Sequence, residues 1–310
     1  MKVKDPAIVV VGSSNMDLVA RTPRIPAAGE TILGGDFLTI PGGKGANQAV
    51  AAAKLGSQVF FVAKLGADAF GRQSLANFQN AGVNTKYVTT TKDAPSGVAL
   101  ITVDEKGENA IVVAPGANSM LRPADVEAAK EAIAGAGAVV AQLEVPLQTV
   151  EYAAACAKNS GVPFILDPAP ARKLPDELLA VTDIIKPNET EAKILTGIEV
   201  KDDTSAKHAA YKLLEKGVGA VVITMGAAGF LLATKEAVEF VEAIKVNAVD
   251  STAAGDAFTG SLAAGIAEGK TLRQAAEFAN TVAAVSVTKW GAQSSMPTTD
   301  QVREFLMTRR

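Results

Sequence analysis

Short runs of β-branched and other apolar residues recur along the chain, and the segments between them repeat their apolar positions at helical spacing. Ala7 to Val11, Gln58 to Val62, Ala138 to Leu143, Pro163 to Leu166, Ile184 to Ile185 and Ala220 to Thr224 predict strands. Ala46 to Leu55, Gln73 to Ala81, Val150 to Lys158 and Ala206 to Lys216 predict helices between them. The strand runs are apolar on both faces, which is the pattern of parallel strands whose crossover helices cover the sheet on both sides. The expected fold is therefore α/β, a doubly wound and mostly parallel sheet flanked by helices.

Two stretches break that rhythm. Leu18 to Ile40 carries prolines and several glycines with little helical period, and Ser96 to Ala114 alternates, breaks at Asp104 to Glu108 and alternates again, which is a hairpin signal. Both are insertions into a βα repeat, and such insertions form lids or interfaces. A small β-sheet lid from about 18–40 and 96–114 is expected, inserted into a single domain spanning 1–310. After Val249 the pattern becomes nearly all helical, and neither an internal repeat nor a linker divides the chain.

Composition narrows the function classes. The 310 residues are 48% apolar and 20% charged, and 33 acidic against 30 basic residues give a net charge of −3 without a long basic run, so nucleic acid is not an expected partner. The one cysteine, Cys156, cannot close an internal disulfide and reads as a small core residue. The first apolar run is too short for a secretion signal, and no run approaches the roughly 20 residues of a membrane span. A cytoplasmic protein with no membrane partner is expected. With His208 as the only histidine, an HExxH zinc site is impossible and a Ser-His-Asp triad would hinge on one residue in a polar helical stretch.

Several segments carry candidate chemistry. Pro41-Gly42-Gly43-Lys44-Gly45-Ala46-Asn47 leads into a helix; its glycines would let backbone amides approach a ligand, and Lys44 and Asn47 add side-chain donors. Lys44 is followed by Gly45 rather than Ser or Thr, so this is not a P-loop; a flexible strand-to-helix turn is the alternative. Asp250-Ser251-Thr252-Ala253-Ala254-Gly255-Asp256 also opens a helix. Its small residues could present amides to an anion, and Asp256 in the first turn, where the dipole favours its charge, could accept a proton; simple capping would also explain it. Asn188 and Glu191 suit either a capping box or water-mediated Mg²⁺ binding. Thr224-Met225-Gly226-Ala227-Ala228-Gly229 is either a hairpin turn or a bed for phosphates. Asn15-Met16-Asp17 and Glu144 follow predicted strands, at the edge where open α/β sheets bind ligands, and their carboxylates could each accept from adjacent hydroxyls.

Together these segments resemble the ribokinase/PfkB-type carbohydrate kinase family over essentially the whole chain. Gly42-Gly43-Lys44-Gly45-Ala46-Asn47-Gln48-Ala49 looks like its N-terminal signature, and Asp250 to Phe258 like its C-terminal one, with Pro187-Asn188-Glu189-Thr190-Glu191 between. The resemblance implies ATP as phosphoryl donor, Mg²⁺, an activating K⁺ and transfer to the 5-hydroxyl of D-ribose; fructokinase, deoxyribokinase and adenosine-type kinases are the alternatives within the family. It makes Asp256 the base and Ala253, Ala254 and Gly255 an anion hole. Asn15, Met16, Asp17, Gly43, Lys44, Gly45, Ala46, Asn47 and Glu144 would hold the sugar. Asn188, Thr224 to Gly229, Gly255 and Asn280 would lie along ATP, although a histidine often stands at the Asn280 position. Asp250, Thr252, Ser286, Lys289, Gly291 and Ser295 match cation positions, several through carbonyls, and Glu191 would meet Mg²⁺ through water. A dinucleotide oxidoreductase would need G-x-G-x-x-G after the first strand, where Gly12-Ser13-Ser14-Asn15-Met16-Asp17 stands instead. A non-catalytic sugar-binding protein could drop Asp256, which is present. Val98, Leu100 and Thr102 against Ala99, Ile101 and Val103 make the lid apolar on both faces; one face would cover the sugar, and the other would meet the lid of a second subunit in a homodimer.

Overall fold

The structure is a computed structural model that describes residues 6–309. Its strands are β1 (Ala7–Val11), β2 (Asn15–Arg21), β3 (Phe37–Gly42), β4 (Val59–Gly66), β5 (Val88–Thr91), β6 (Gly97–Val103), β7 (Asn109–Ala114), β8 (Ala136–Ala141), β9 (Phe164–Leu166), β10 (Ile184–Ile185), β11 (Ala220–Thr224), β12 (Gly229–Ala233) and β13 (Val238–Glu242). The helices are α1 (Lys44–Lys54), α2 (Ala69–Asn80), α3 (Pro123–Glu127), α4 (Lys130–Ala134), α5 (Leu147–Asn159), α6 (Asp176–Ala180), α7 (Glu189–Thr196), α8 (Asp203–Glu215), α9 (Ala254–Ala267), α10 (Leu272–Ser286) and α11 (Thr299–Met307).

Nine strands form one sheet in the order β13-β12-β11-β10-β9-β8-β1-β4-β5, parallel except for the antiparallel β11-β12-β13 edge. Side chains alternate across its central strands. Ile8, Val10, Ala138 and Val140 pack on one face with α1, α9 and α10, while Val9, Val11, Val139 and Ala141 pack on the other with α5 and α8. This two-sided burial is why the strands read as continuous apolar runs. The expected fold class is what forms.

The same layer sets a close approach that matters for the site. At Gly260 of α9 a Cβ would lie 2.5 Å from the Gln48 carbonyl of α1, so only glycine allows the two helices to touch there. That contact brings Asn47 and Gln48, on the first turn of α1, within reach of the start of α9.

The second sheet has the order β3-β2-β6-β7, with β2 and β6 parallel and the outer pairs antiparallel. It differs from the sequence expectation in its bounds. Asn15 to Asp17, placed just past the first strand, are the start of β2, and the Leu18–Ile40 segment is two strands joined by an irregular stretch with its prolines. Two further strands, β5 and β13, form without having been expected. α2 starts four residues before Gln73, because Asp68 caps it by accepting from the Gly71 amide at 2.7 Å. Among the described residues no helix is long and apolar enough to cross a membrane.

Candidate active site

The chemistry gathers at the carboxyl ends of the parallel strands, on both sides of the point between β1 and β8 where the chain reverses direction across the sheet. Ser13, after β1, donates its hydroxyl to Glu144 Oε2, after β8, and the same oxygen accepts from the Lys44 amide at 3.0 Å. The Gly45 amide meets Ser13 Oγ at 3.3 Å, and the amides of Ala46 and Asn47 meet the Ser13 and Gly43 carbonyls, both at 2.8 Å. The Lys44, Gly45 and Ala46 amides of the glycine loop are therefore already taken by Glu144 and Ser13. The loop's glycines serve close packing. Gly43 has φ +89, and a Cβ there would lie 2.6 Å from the Asn15 nitrogen; at Gly45 it would lie 2.6 Å from the Ser13 nitrogen.

Asp17 lies close enough to Glu144 and Asp256 to feel the charge of both. Burial, then the charges of Glu144 and Asp256, push the Asp17 carboxyl up to about 7. Asn15 is buried and accepts from Asn118 Nδ2 at 2.7 Å, while Met16 and Ala46 are fully buried, which leaves the last two only their backbones to offer a ligand.

Asp256 stands on the first turn of α9 and is buried. Its Oδ2 accepts from Asn47 Nδ2 and its Oδ1 from Gln48 Nε2, each at 2.9 Å. Burial raises its pKa, Lys44 and the two amide donors work against that rise, and Asp167 adds to it. The helix dipole at this first turn favours the ionised form, as expected, and burial works the other way. Ala253, the N-cap, has φ 58 and ψ 17, a left-handed conformation rare outside glycine, so the turn before Asp256 is strained. The Ala254 amide turns back to the Ser251 carbonyl at 3.2 Å, and the first-turn amides beyond it belong to the donors that a helix cannot satisfy internally.

A cleft of about 400 Å³ opens from Asp256. Lys44, Asn188, Glu191, Thr224, Gly226, Gly229, Ala253 to Gly255 and Asn280 line it. Lys44 thus faces this cleft, with its ammonium among Asp256, Asp167, Glu144 and Glu191; burial opposes its charge, but those carboxylates raise its pKa. The Thr224–Gly229 segment is the hairpin turn between β11 and β12, with Met225 turned inward and Ala227 and Ala228 exposed. Asn188 and Glu191 form a reciprocal capping box on α7, both bonds at 2.8 Å, and burial followed by Asp167 raises the Glu191 pKa. Asn280 donates to the Glu242 carbonyl at 2.9 Å.

Of the candidate cation positions, Asp250, Thr252 and Gly291 come together. Asp250 Oδ1 accepts from the Thr252 amide and hydroxyl at 2.9 and 2.6 Å, and Oδ2 from the Gly291 amide at 2.8 Å. Burial works to raise Asp250, yet these bonds hold it below the ordinary carboxylate value. The Ser286 and Ser295 hydroxyls bond to the Ala283 and Ala292 carbonyls, so their side chains are already used. The Lys289 amide meets the Ser286 carbonyl at 3.1 Å.

Sequence reasoning missed Asp167 and its partners. Asp167 lines the cleft, buried, with Oδ2 within 2.7 Å of Gln48 Nε2 and 3.4 Å of Lys186 Nζ, and Lys186 also reaches the Gly255 carbonyl at 3.4 Å. Asp167 Oδ1 is buried without a hydrogen-bond partner. No local motif marks Asp167; only its place at the end of an apolar strand run could have drawn attention.

A buried carboxylate, a cluster of acid groups beside it and an open cleft at the start of a helix fit a phosphotransferase of the sugar-kinase type, and residues 5–299 match the pfkB family of carbohydrate kinases. The chain belongs to that family. It is 44% identical to ribokinase of Haemophilus influenzae, over 96% of this chain and 98% of that one, and 41% identical to deoxyribokinase of Salmonella typhi over the same shares. The solved structure of Arabidopsis thaliana ribokinase complexed with ribose and ATP superposes with a TM-score of 0.91 at 35% identity, covering 97% of this chain and 98% of that one.

Proposed function

We propose that this chain is a ribokinase, which transfers the γ-phosphoryl group of ATP to the 5-hydroxyl of D-ribose and yields D-ribose 5-phosphate and ADP. The observation that carries it is Asp256, a buried carboxylate held by two amides on the wall of the open cleft. The names of the Haemophilus and Arabidopsis relatives support the substrate pair. ATP as donor fits a cytoplasmic enzyme.

Ribose lies against Asp256, with Asp17 and Glu144 accepting from its hydroxyls and Asn47 beside Asp256. Asp256 takes the 5-hydroxyl proton as that oxygen attacks; a carboxyl raised by burial is a better base than an ordinary one, and the charge of Lys44 favours its ionised form. Lys44 and the amides of Ala253 and Gly255 face the charge that spreads over the transferring group, while the Ala254 amide would join them only by leaving the Ser251 carbonyl. Asn188, Thr224 to Gly229 and Asn280 line the part of the cleft left for the nucleotide.

The residues suit a hard cation at the phosphates. Asp167 Oδ1 lacks a partner, and Glu191 stands on the same cleft. Glu191 would hold Mg²⁺ through water, with the phosphates as its other ligands, and the ion would neutralise phosphate charge. Among the described residues no group of three or more His, Cys, Asp or Glu is arranged as a protein-only metal site, which agrees with a cation shared with substrate. K⁺ would sit at the Asp250 and Ser286–Ser295 loops, whose ionised carboxylate and carbonyls suit it, and would order the turn before Asp256.

The small sheet acts as a lid over the sugar. Strand register puts Asp17, Ile40 and Ala99 on one face and Phe37, Leu100 and Val112 on the other. Those last three are all more than half exposed, so the outer face is an apolar surface, and we assign it to the lid of a second subunit.

An ADP-release assay across ribose, deoxyribose, fructose and adenosine tests the substrate. Ribose should give the highest kcat/KM. A higher value for deoxyribose would favour the reading that the Salmonella relative's name suggests.

A further inference from the structure

Asp256 is held by two chains of side-chain amides whose direction can be worked out. A carboxylate only accepts hydrogen bonds, so the edges of Asn47 and Gln48 that face Asp256 must be their NH₂ groups. Gln48 uses both hydrogens, one on Asp256 Oδ1 at 2.9 Å and one on Asp167 Oδ2 at 2.7 Å. Its Oε1 therefore points the other way, where it accepts from Gln142 Nε2 at 2.5 Å. Asn47 is fixed in the same manner: Nδ2 donates to Asp256 Oδ2 at 2.9 Å, and Oδ1 accepts from Gln293 Nε2 at 3.1 Å. Gln293 Oε1 in turn accepts from Asn77 Nδ2 at 2.6 Å.

The outer members are built to hold one orientation. Gln142 Oε1 is buried without a donor, and a Cβ on Gly12 would lie 2.0 Å from it, so glycine is what leaves that oxygen its space. An orphaned buried oxygen is costly. Turning the Gln142 amide over would not relieve it, because two amide oxygens would then face each other at Gln48. Gln293 is buried on a loop whose Gln293 and Met296 carbonyls are clamped by Lys54 Nζ at 2.7 and 3.2 Å. Chains of this kind polarise in one direction, here toward Asp256.

We propose that Gln142 and Gln293 are positioning residues for the phosphoryl-transfer step: acting through Gln48 and Asn47, they fix the amide edges that hold both oxygens of Asp256. Neither need touch substrate. The inference rests on the reading of Asp256 as the base, and the test separates the two.

Gln142→Met and Gln293→Met remove the outer donor at near-constant volume. Each should lower kcat by about three- to tenfold, the effect of one lost hydrogen bond, with KM for ATP unchanged. In an Asp256→Asn background neither should lower the residual rate further, because no base remains to be positioned. An unchanged kcat in both single variants, or the same fold-loss in both backgrounds, would overturn the positioning role. An Asp256→Asn enzyme keeping more than about a tenth of its rate would instead overturn the base assignment. Should Gln142→Met fail to fold, as judged by its thermal transition, Gln293→Met, next to a surface groove, decides the question alone.

Discussion

Ribose affinity should depend on pH through Asp17. Its carboxyl, ordinarily near 3.8, is pushed up to about 7 by burial and by the facing charges of Glu144 and Asp256. A protonated Asp17 can accept fewer hydroxyl hydrogens than an ionised one. At pH 6, one unit below that pKa, only about a tenth of the free enzyme carries Asp17 ionised, so affinity should be roughly tenfold below the plateau it reaches above about pH 8. Because the folded pKa lies above the unfolded one, the contribution of Asp17 to stability is fully present below 3.8 and is lost as the pH rises to about 7. The site thus holds a group that opposes folding in the pH range where it binds ligand. Titration calorimetry with ribose alone, from pH 5.5 to 9, reads the effect without the chemical step. Asp17→Asn should remove the step and lower the plateau by roughly ten- to hundredfold. A flat wild-type profile between pH 6 and 8, or an unchanged step in Asp17→Asn, would refute the assignment.

Other outcomes follow from the loops and the lid. Turnover should rise when K⁺ replaces tetramethylammonium, and Asp250→Ala should abolish the response; equal rates in both buffers would count against the cation site. Light scattering at micromolar concentration should give twice the subunit mass of 31.8 kDa, and Leu100→Lys with Val112→Lys should halve it; a monomeric wild type would contradict the lid interface. Ala253→Gly relieves a left-handed alanine, and the gain of about 1 kcal/mol should raise the thermal midpoint by roughly 1–2 °C. A lower midpoint would mean that Ala253 is held there without strain.

The parallel strands were legible because burial on both faces writes a continuous apolar run, as in Ala7–Val11, where alternate residues enter the two cores. The ends of elements were less so: Asn15 to Asp17 look like loop residues because β2 leaves the core sheet and pairs at a distance, with β3 and β6. Asp256 and the glycine loop were legible as signatures, yet the partner of the Lys44 amide was not, since Glu144 reaches it from 100 positions away. Asp167, Gln142 and Gln293 carry no local pattern at all. They meet Gln48 and Asn47 only after the sheet order and the α1–α9 contact at Gly260 have been set.

The most direct measurement is the turnover of Asp256→Asn with ribose and ATP, taken alongside calorimetric binding of each. Removing a positioned base should lower kcat by about 10²- to 10⁴-fold while both ligands still bind near wild-type affinity. A variant that turned over at more than about a tenth of the wild-type rate, with ribose and ATP bound, would show that the proton leaves by another route.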